Sequence, residues 1–219
     1  MKTQTIDFIL SGLLLTLLVC LSLLTVAYAN HSTQALLGDY YVLFNLFFFL
    51  FLYGFYSIVA IRVMLKVKPF KEGTYLMTDN TFTYWKLFTV ICEFGKGALL
   101  PFTTLFTRPL IVSLFGAKIG KNIALGGQLV DQQMITIGDE VIVGQDSVIT
   151  AHTINSGSIT LSPIVIADRA TIGVHVVLMS GVKVGECAVI AAGSVVPPNT
   201  QISPNELWGG IPAKKIKDL

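Results

Sequence analysis

Aliphatic residues recur at every sixth position through the C-terminal half of the chain, and this spacing constrains the fold more than any other feature. The period fits neither an α-helix, which repeats at about 3.6 residues, nor a half-buried strand, which alternates. It predicts an all-β left-handed parallel β-helix, in which each triangular coil takes about 18 residues and stacks one inward side chain per face on the neighbouring coils. The repeating residues are Ile119, Leu125, Ile137, Val143, Ile149, Ile166, Ile172, Leu178, Val184, Ile190, Val196 and Ile202.

Two further positions of the repeat agree with this fold. A small or β-branched residue, such as Val176 or Ala188, stands four positions after most of the aliphatic residues, as expected for a second inward position in a narrow prism. Glycine also follows many of the aliphatic residues, and we expect it at corners whose backbone conformation only glycine adopts at low cost. These glycines are Gly120, Gly126, Gly138, Gly144, Gly173 and Gly185.

The repeat is interrupted at two places. Asp131 takes the position of an aliphatic residue, and the interval from Ile149 to Ile166 is 17 residues, so the register fails around residues 155–158. Such a break predicts a segment that leaves the regular coil. The segment is either a surface loop without function or a functional loop on a rigid scaffold.

The N-terminal part of the chain is unusually apolar. The chain has 219 residues, 53% hydrophobic and 13% charged, and a mean hydropathy of +0.71, which is rare for a soluble domain. Two uncharged runs, residues 8–29 and 40–61, are each long enough to cross a membrane. We therefore expect a transmembrane helical hairpin within residues 1–68, rather than two core helices. Residues 27–29, Ala-Tyr-Ala, resemble a signal-peptidase site, but the long apolar run favours an uncleaved anchor.

The distribution of basic residues predicts the orientation of these helices. The connector at residues 30–39 has no Lys or Arg, whereas basic residues cluster directly after the second run. The positive-inside rule then places the β-helix domain in the cytoplasm, which predicts a multi-pass protein of the bacterial inner membrane. The clustered residues are Arg62, Lys66, Lys68 and Lys71.

Residues 69–115 are predicted to form a helical neck on the membrane surface. Aromatic and aliphatic residues mix there with charged ones, and Pro101 and Pro109 interrupt long helices. A third membrane span over residues 97–115 is the alternative, which the two prolines disfavour.

Histidine is scarce, and one of the three, His31, falls in the connector on the predicted far side of the membrane. His152 and His175 each stand three positions after an aliphatic residue, so both should point outward near a corner. His152 also precedes the register break, where it is either an ordinary exposed histidine or a general base at the wall of a groove. The β-helical carbonic anhydrases need three histidines around zinc, and two on the solenoid argue against that chemistry.

Several C-terminal segments together resemble the hexapeptide-repeat acyltransferases. Repeats such as Ile172-Gly-Val-His are followed by Ile190-Ala-Ala-Gly-Ser-Val-Val and then by Trp208-Gly-Gly-Ile-Pro-Ala-Lys. In that family a closing segment of this kind precedes a turn that helps to seat coenzyme A. The resemblance covers residues 116–217 and is similar in arrangement to the membrane-linked acyltransferase modules at the C-terminus of polylysine-type synthetases.

The resemblance assigns roles to individual residues. His152 matches the histidine that removes the proton from the acceptor. A carboxylate orients that imidazole in the family, and either Asp131 or Asp146 is available, with Asp131 favoured because it breaks the aliphatic ladder. The main chain of Val174 and Ala192 matches groups that hold the pantetheine arm.

The same resemblance extends to the C-terminus and to the assembly. Lys214 and Lys217 match a basic pair that faces the nucleotide phosphates, although a solvated basic tail is the alternative. Residues 204–219 would thus form a tail that contacts coenzyme A, after a β-helix domain at residues 116–203. The family further implies a homotrimer, acetyl-CoA as co-substrate, and neither a metal nor a tightly bound cofactor.

The expected function is transfer of an acetyl group to a hydroxyl of a lipid-linked or nascent surface glycan at the cytoplasmic face, next to membrane lipid. One alternative is an enzyme that uses longer acyl chains from acyl carrier protein, and another is a non-catalytic membrane scaffold. No basic stripe indicates a nucleic-acid partner.

Overall fold

The computed structural model describes residues 4–219, which form two compact units. The helical unit comprises residues 4–68 together with residues 80–103, and the solenoid unit comprises residues 69–79 and 104–219. The α-helices are α1 Thr5–Leu37, α2 Tyr41–Val67, α3 Asn80–Leu99 and α4 Arg108–Leu114. The strands are β1 Gly73–Leu76, β2 Lys118–Ile119, β3 Ala124–Leu125, β4 Gln128–Val130, β5 Ile135–Ile137, β6 Ile142–Val143, β7 Val148–Thr150, β8 His152–Asn155, β9 Ser158–Leu161, β10 Ile164–Ile166, β11 Thr171–Ile172, β12 Val177–Leu178, β13 Lys183–Val184, β14 Val189–Ile190, β15 Val195–Val196, β16 Gln201–Ile202, β17 Glu206–Gly210 and β18 Ala213–Asp218.

The helical unit contains a long apolar stretch, Thr5–Val67, which spans α1, a 3₁₀ turn at Gly38–Tyr40 and α2. Its length and composition suffice to cross a membrane, a criterion that core helices and N-terminal signal sequences also meet. The connector predicted at residues 30–39 is mostly helical, because α1 continues to Leu37. Side-chain hydrogen bonds join α1 to α2, between the Thr25 and Tyr56 hydroxyls at 2.9 Å and from Asn45 to Asn30 at 2.9 Å.

Residues 69–115, predicted as a helical neck, contain a strand as well as helices. The strand is β1, which pairs with β9 of the solenoid unit. Helix α3 ends in a 3₁₀ turn that contains Pro101, and Pro109 lies in the first turn of α4. Proline lacks the amide N–H that a helix interior needs, so residues 97–115 do not form one continuous helix.

The six-residue period is confirmed as the inward ladder of a parallel β-solenoid. The strands stack into three parallel sheets, one for each face of the prism, with Ile172 between Val143 and Ile190 as an example of the register. All twelve repeating residues are buried except Ile119 of the first coil, which is half-buried. The first sheet has the order β2-β5-β10-β13-β16, the second β3-β6-β11-β14-β17-β18 with β18 antiparallel, and the third β4-β7-β12-β15.

The glycines after the ladder residues have a different reason from the predicted one. Their φ angles are not positive, and the left-handed corner positions are filled mainly by polar residues. What excludes a side chain is the backbone of the next coil: a Cβ at Gly185 would lie 2.4 Å from the nitrogen of Pro204, and one at Gly144 would lie 2.5 Å from that of Val174. The left-handed residues include Asn122, Glu140, Asp146, Arg169, His175, Cys187, Asn199 and Asn205.

The expectation that Asp131 takes a ladder position is wrong. Leu129 stands opposite Ile149 in the third sheet and is 3% exposed. The tight corner at residues 126–127 brings the ladder position forward, and a 3₁₀ turn at Gln132–Met134 then adds residues before β5. The residues lost before Leu129 and those gained before β5 are equal in number, so the six-residue spacing looks unbroken in the sequence. Asp131 therefore lies at the corner after β4.

The register break after Ile149 is a β-hairpin that leaves the solenoid, as predicted for such a break. Strands β8 and β9 pair with each other antiparallel, and β1 pairs with the other edge of β9. We call this antiparallel sheet of β1, β9 and β8 the side sheet. Its strand β1 belongs to the segment of residues 69–79 that links α2 to α3.

Candidate active site

His152 and Asp131, predicted as base and orienting carboxylate, meet at one corner of the solenoid. This corner joins the third sheet to the first, and it holds residues 131–134 in the first coil, residues 151–163 in the second and residues 179–182 in the third. Asp131 follows β4 directly, and His152 is the first residue of β8. The Nδ1 atom of His152 lies 2.5 Å from Oδ2 of Asp131.

The surroundings of this pair determine which imidazole nitrogen carries the proton. The side chain of Asp131 is 2% exposed and that of His152 is 20% exposed. Because a carboxylate only accepts hydrogen bonds, the contact assigns the proton of a neutral imidazole to Nδ1 and leaves its lone pair on Nε2. Aspartate also tolerates the left-handed backbone that the corner requires, with a φ of 61° at Asp131. A partly exposed imidazole held by a buried carboxylate can accept a proton from a hydroxyl group.

The base of the side sheet is fixed on both of its faces. Successive side chains of a strand point to opposite faces, so His152 and Thr153 face opposite coils. His152 contacts Asp131 of the first coil, and Oγ1 of Thr153 lies 2.6 Å from Oγ of Ser180 in the third coil. The first two residues of β8 thus connect three coils.

Asp146 and His175 lie at a different corner from His152. Both occupy left-handed positions between the second and third sheets, with φ values of 58° and 55°. Both residues are exposed. Of the two carboxylates considered from the sequence, Asp131 is therefore the one at the His152 corner.

Val174 and Ala192 lie one coil apart, as their spacing predicts, and both are exposed. The Val174 carbonyl accepts a hydrogen bond from Gly193 at 2.9 Å, and within residues 4–219 the amides of Val174 and Ala192 donate none. They sit at the corner between the second and third sheets, so one chain does not bring them together with His152.

Lys214 and Lys217 lie on the antiparallel hairpin of β17 and β18, where both are exposed. Residues three apart on a regular strand face opposite sides. Here a bulge shifts the register between residues 207 and 208, so that Lys214 pairs with Gly209 and Lys217 with Leu207. Since Leu207 and Gly209 share one face of β17, the bulge brings both lysines to the same face.

Lys215 projects from the other face of this hairpin and anchors Glu206. Its ammonium lies 2.8 Å from Oε1 of Glu206, and the indole N–H of Trp208 donates to Oε2 at 2.8 Å. The hydrogen bond from Lys215, then those from Trp208 and the Ser203 amide, lower the pKa of Glu206 to about 2. This network stiffens the hairpin that carries Lys214 and Lys217.

The sequence did not point to several polar residues that hold this corner. Thr153 and Ser180 bond to each other, and the Ser162 hydroxyl donates to Oε1 of Glu72 at 2.5 Å. None of these contacts follows from the six-residue period, and the last joins residues 90 positions apart in the chain. The sequence offered only a weak signal for Thr153, Ser162 and Ser180, namely that each is a serine or threonine within a mostly apolar coil.

The chain is similar in sequence to proteins of known activity. It is 31% identical over 125 residues to galactoside O-acetyltransferase of Escherichia coli, over 52% of this chain and 61% of that protein. It is 26% identical to delta-poly-L-ornithine synthetase of Acinetobacter baumannii, over 64% of this chain and 11% of that protein. The chain thus spans about three fifths of the first relative's length and a small part of the second's. No protein-family model matches it.

A third relative carries a different activity. The chain is 40% identical to the mitochondrial gamma carbonic anhydrase 2 of Arabidopsis thaliana, over 83 residues that make up 38% of this chain and 26% of that protein. Among residues 4–219 no three His, Cys, Asp or Glu side chains are grouped to hold a metal ion.

A solved structure supports the assignment of the fold. A galactoside acetyltransferase in complex with coenzyme A superposes with a TM-score of 0.52 at 21% identity, and the match covers 72% of this chain and 90% of that one. At this identity the likeness speaks for the fold. The chain is thus similar in sequence to acetyltransferases, and its own fold is a parallel β-solenoid.

Proposed function

We propose that this protein is a membrane-anchored acyltransferase that moves an acetyl group from acetyl-CoA to a hydroxyl group, with His152 as general base. The observation that carries the proposal is the contact of His152 with the buried Asp131, at the one corner where the solenoid opens into the side sheet. The sequence similarity to acetyltransferases supports the same reaction class.

The proposed reaction is a direct transfer. Nε2 of His152 takes the proton of the acceptor hydroxyl as its oxygen attacks the thioester carbonyl, and main-chain amides stabilise the oxyanion. The C–S bond then breaks, and the coenzyme A thiolate receives the proton from the imidazolium. Asp131 stays ionised throughout, holds the ring through Nδ1 and stabilises the imidazolium.

We further propose that the donor lies along the corner between the second and third sheets. The amides of Val174 and Ala192 would donate hydrogen bonds to carbonyls of the pantetheine arm. Lys214 and Lys217, on one face of the C-terminal hairpin, would face the nucleotide phosphates.

This donor position requires more than one chain. The proposed donor groups and His152 occupy different corners of one solenoid, so a complete site forms where two solenoids lie side by side. A closed ring of three copies supplies three such sites, which agrees with the homotrimer that the family resemblance implies.

The proposed acceptor is a lipid-linked or nascent glycan at the cytoplasmic face. In the helical unit large apolar side chains such as Phe8 and Leu24 are exposed, while Ser22 and Ser57 are fully buried. Apolar side chains outside and small polar ones inside suit a helix pair surrounded by lipid. We propose that α1 and α2 cross the membrane as a hairpin and hold the solenoid near its substrate in the cytoplasm.

The test is acetyl transfer from radiolabelled acetyl-CoA to lipids and glycans of membranes that contain the full chain. His152→Asn should lower the rate by about 10²–10⁴-fold, because it removes the base. His31→Asn is the matched control, since His31 is exposed on α1 of the helical unit, and it should keep full activity. Equal activity of the wild-type and His152→Asn proteins would refute the catalytic proposal and favour a scaffold.

The choice of donor has its own measurement. Acetyl-CoA should raise the thermal midpoint of the detergent-solubilised protein, because a ligand that binds only the folded state stabilises it. Protection by acyl carrier protein thioesters without protection by acetyl-CoA would replace acetyl transfer with transfer of a longer acyl chain.

A further inference from the structure

We infer that residues 69–79, which link α2 to α3, form a positioning element of the active site, with Glu72 as its main contact. This inference rests on the proposed role of His152. The segment contributes strand β1 to the side sheet and contacts the hairpin of β8 and β9 at both ends.

The hairpin alone is a weak support for a catalytic side chain. Two antiparallel strands without further packing are marginally stable in water, and a third strand is needed for independent stability. Strand β1 supplies it, with Gly73 opposite Leu161 and Leu161 opposite His152. The row of residues that contains the proposed base therefore runs across all three strands.

The contact at the base of the hairpin passes through Ser162. This serine is 5% exposed, and its hydroxyl donates to Oε1 of Glu72 at 2.5 Å. Its amide donates to the carbonyl of Ala151 at 2.9 Å, and its carbonyl accepts from Gly181 at 3.2 Å. Since Ala151 directly precedes His152, Glu72 is connected to the base by one buried residue.

The contact at the tip of the hairpin is made by main chain. The Met77 amide donates to the carbonyl of Gly157 in the hairpin turn at 2.9 Å, and the Met77 side chain is buried. Between the two ends, the hydroxyls of Thr74 and Thr160 lie 2.9 Å apart. The segment thus follows the hairpin along its whole length and restricts its rotation away from Asp131.

The role of Glu72 is tested by the kinetics of the full chain in membranes. Glu72→Ala leaves the Ser162 hydroxyl without its acceptor and loosens the hairpin, so the turnover rate should fall about tenfold or more while the KM for acetyl-CoA stays within about twofold. Glu72→Gln retains an acceptor oxygen and should restore most of the rate. Glu186→Ala, which removes an exposed carboxylate paired with Arg169 away from the side sheet, is the matched control and should be neutral.

Circular dichroism at the assay temperature separates positioning from folding. A rate loss in Glu72→Ala that merely follows the folded fraction, or an unchanged turnover rate, overturns the inference. Failure of the proposed function has a different signature, since His152→Asn would then remain active whatever Glu72→Ala does.

A crosslink provides an independent rescue. Thr74→Cys with Thr160→Cys places two thiols opposite each other on β1 and β9. A disulfide there should restore turnover in the Glu72→Ala background, and reductant should abolish the recovery. Complete crosslinking without recovery, or thiols that never pair, would show that β1 does not hold the hairpin.

Discussion

The solenoid unit and the two long helices α1 and α2 of the helical unit differ in how far their large apolar side chains are exposed. In the solenoid, Leu125 and Ile149 are fully buried between stacked coils. In the helical unit, Leu13 and Leu24 are each 67% exposed, while the fully buried residues include Ser22 and Ser57. The solenoid ladder thus follows the rule for a protein in water. Helices α1 and α2 expose many large apolar side chains, although the helical unit also buries Ile61, Phe82 and Phe88.

If α1 and α2 lie in lipid, as proposed above, different forces hold the two units together. Burial of apolar area in water stabilises the solenoid. Helices surrounded by hydrocarbon gain little from such burial and associate through close packing and hydrogen bonds. The buried serines fit close packing, because they are small and each hydroxyl is satisfied by a carbonyl of its own helix, Ser22 by Leu18 at 2.7 Å and Ser57 by Tyr53 at 2.8 Å.

The largest expected difference comes from the same kind of truncation in the two units. Ile149→Ala should destabilise the solenoid by about 2–5 kcal/mol, because it leaves a cavity in a rigid ladder. Leu24→Ala should cost less than about 0.5 kcal/mol in detergent micelles, because its side chain is already exposed. The chain has two tryptophans, Trp208 in the solenoid unit and Trp85 in the helical unit.

The fluorescence of Trp208 and of Trp85, each in a variant that keeps only that tryptophan, would report the unfolding of each unit separately. Comparable losses from Ile149→Ala and Leu24→Ala would abolish the contrast between the units.

Glycine substitution should give the next largest difference. Gly185→Ala places a Cβ 2.4 Å from the Pro204 nitrogen, so the coils must separate, at a cost of about 1–3 kcal/mol. Gly12→Ala in α1 meets no atom within 4 Å and should be neutral or stabilising by about 0.5–1 kcal/mol. Thermal unfolding in detergent measures both. A tolerated alanine at Gly185 would mean that the stacked coils are looser than their backbone distances indicate.

The sequence predicted the ladder well because inward positions repeat under identical local constraints. It misplaced Asp131 because two opposite shifts cancel within one coil, which leaves the period intact while Leu129 takes the inward position. The pairing of Asp131 with His152 was nevertheless expected, because the family resemblance pairs a carboxylate with the base and Asp131 was favoured over Asp146 as the residue that breaks the aliphatic ladder. The argument that Asp131 occupies a ladder position was wrong, but the two predicted residues do lie close in space.

Non-local contacts limited the prediction elsewhere. The strand β1 precedes its partner β9 by more than 80 residues, and no periodicity connects them. The common face of Lys214 and Lys217 depends on a bulge, and a residue count alone places them on opposite faces. A sequence repeat predicts the contacts that every coil makes with its neighbours. It does not predict contacts with a segment outside the repeat, because such a segment has no periodic pattern.

A polar contact between helices should have a smaller effect. Asn45→Leu removes the hydrogen bond to Asn30 and should destabilise the helical unit by about 0.5–2 kcal/mol, the range for such bonds between membrane helices. Unfolding in mixed micelles of increasing SDS content, followed by Trp85 fluorescence, measures this. The Trp208 signal should not change. If Asn45→Leu stabilised the helical unit, apolar packing rather than hydrogen bonding would hold these helices together.

The smallest expected effect is a dependence of solenoid stability on pH through Glu206. Its pKa is lowered to about 2, chiefly by Lys215, so the ionised form is favoured in the folded state. The stabilisation is complete above the ordinary pKa of the carboxyl group, near 4.5, and is lost as the pH falls towards about 2. Glu206→Gln should thus lower the thermal midpoint at neutral pH, and its difference from the wild type should shrink between those two values. Asp218→Asn removes the exposed second partner of Lys215 but leaves the Glu206 contacts. Its difference in thermal midpoint from the wild type should therefore change less with pH than that of Glu206→Gln. If the thermal midpoint of Glu206→Gln stayed below that of the wild type by the same amount from pH 7 to pH 2, the packing of this residue and not its charge would account for its contribution to stability.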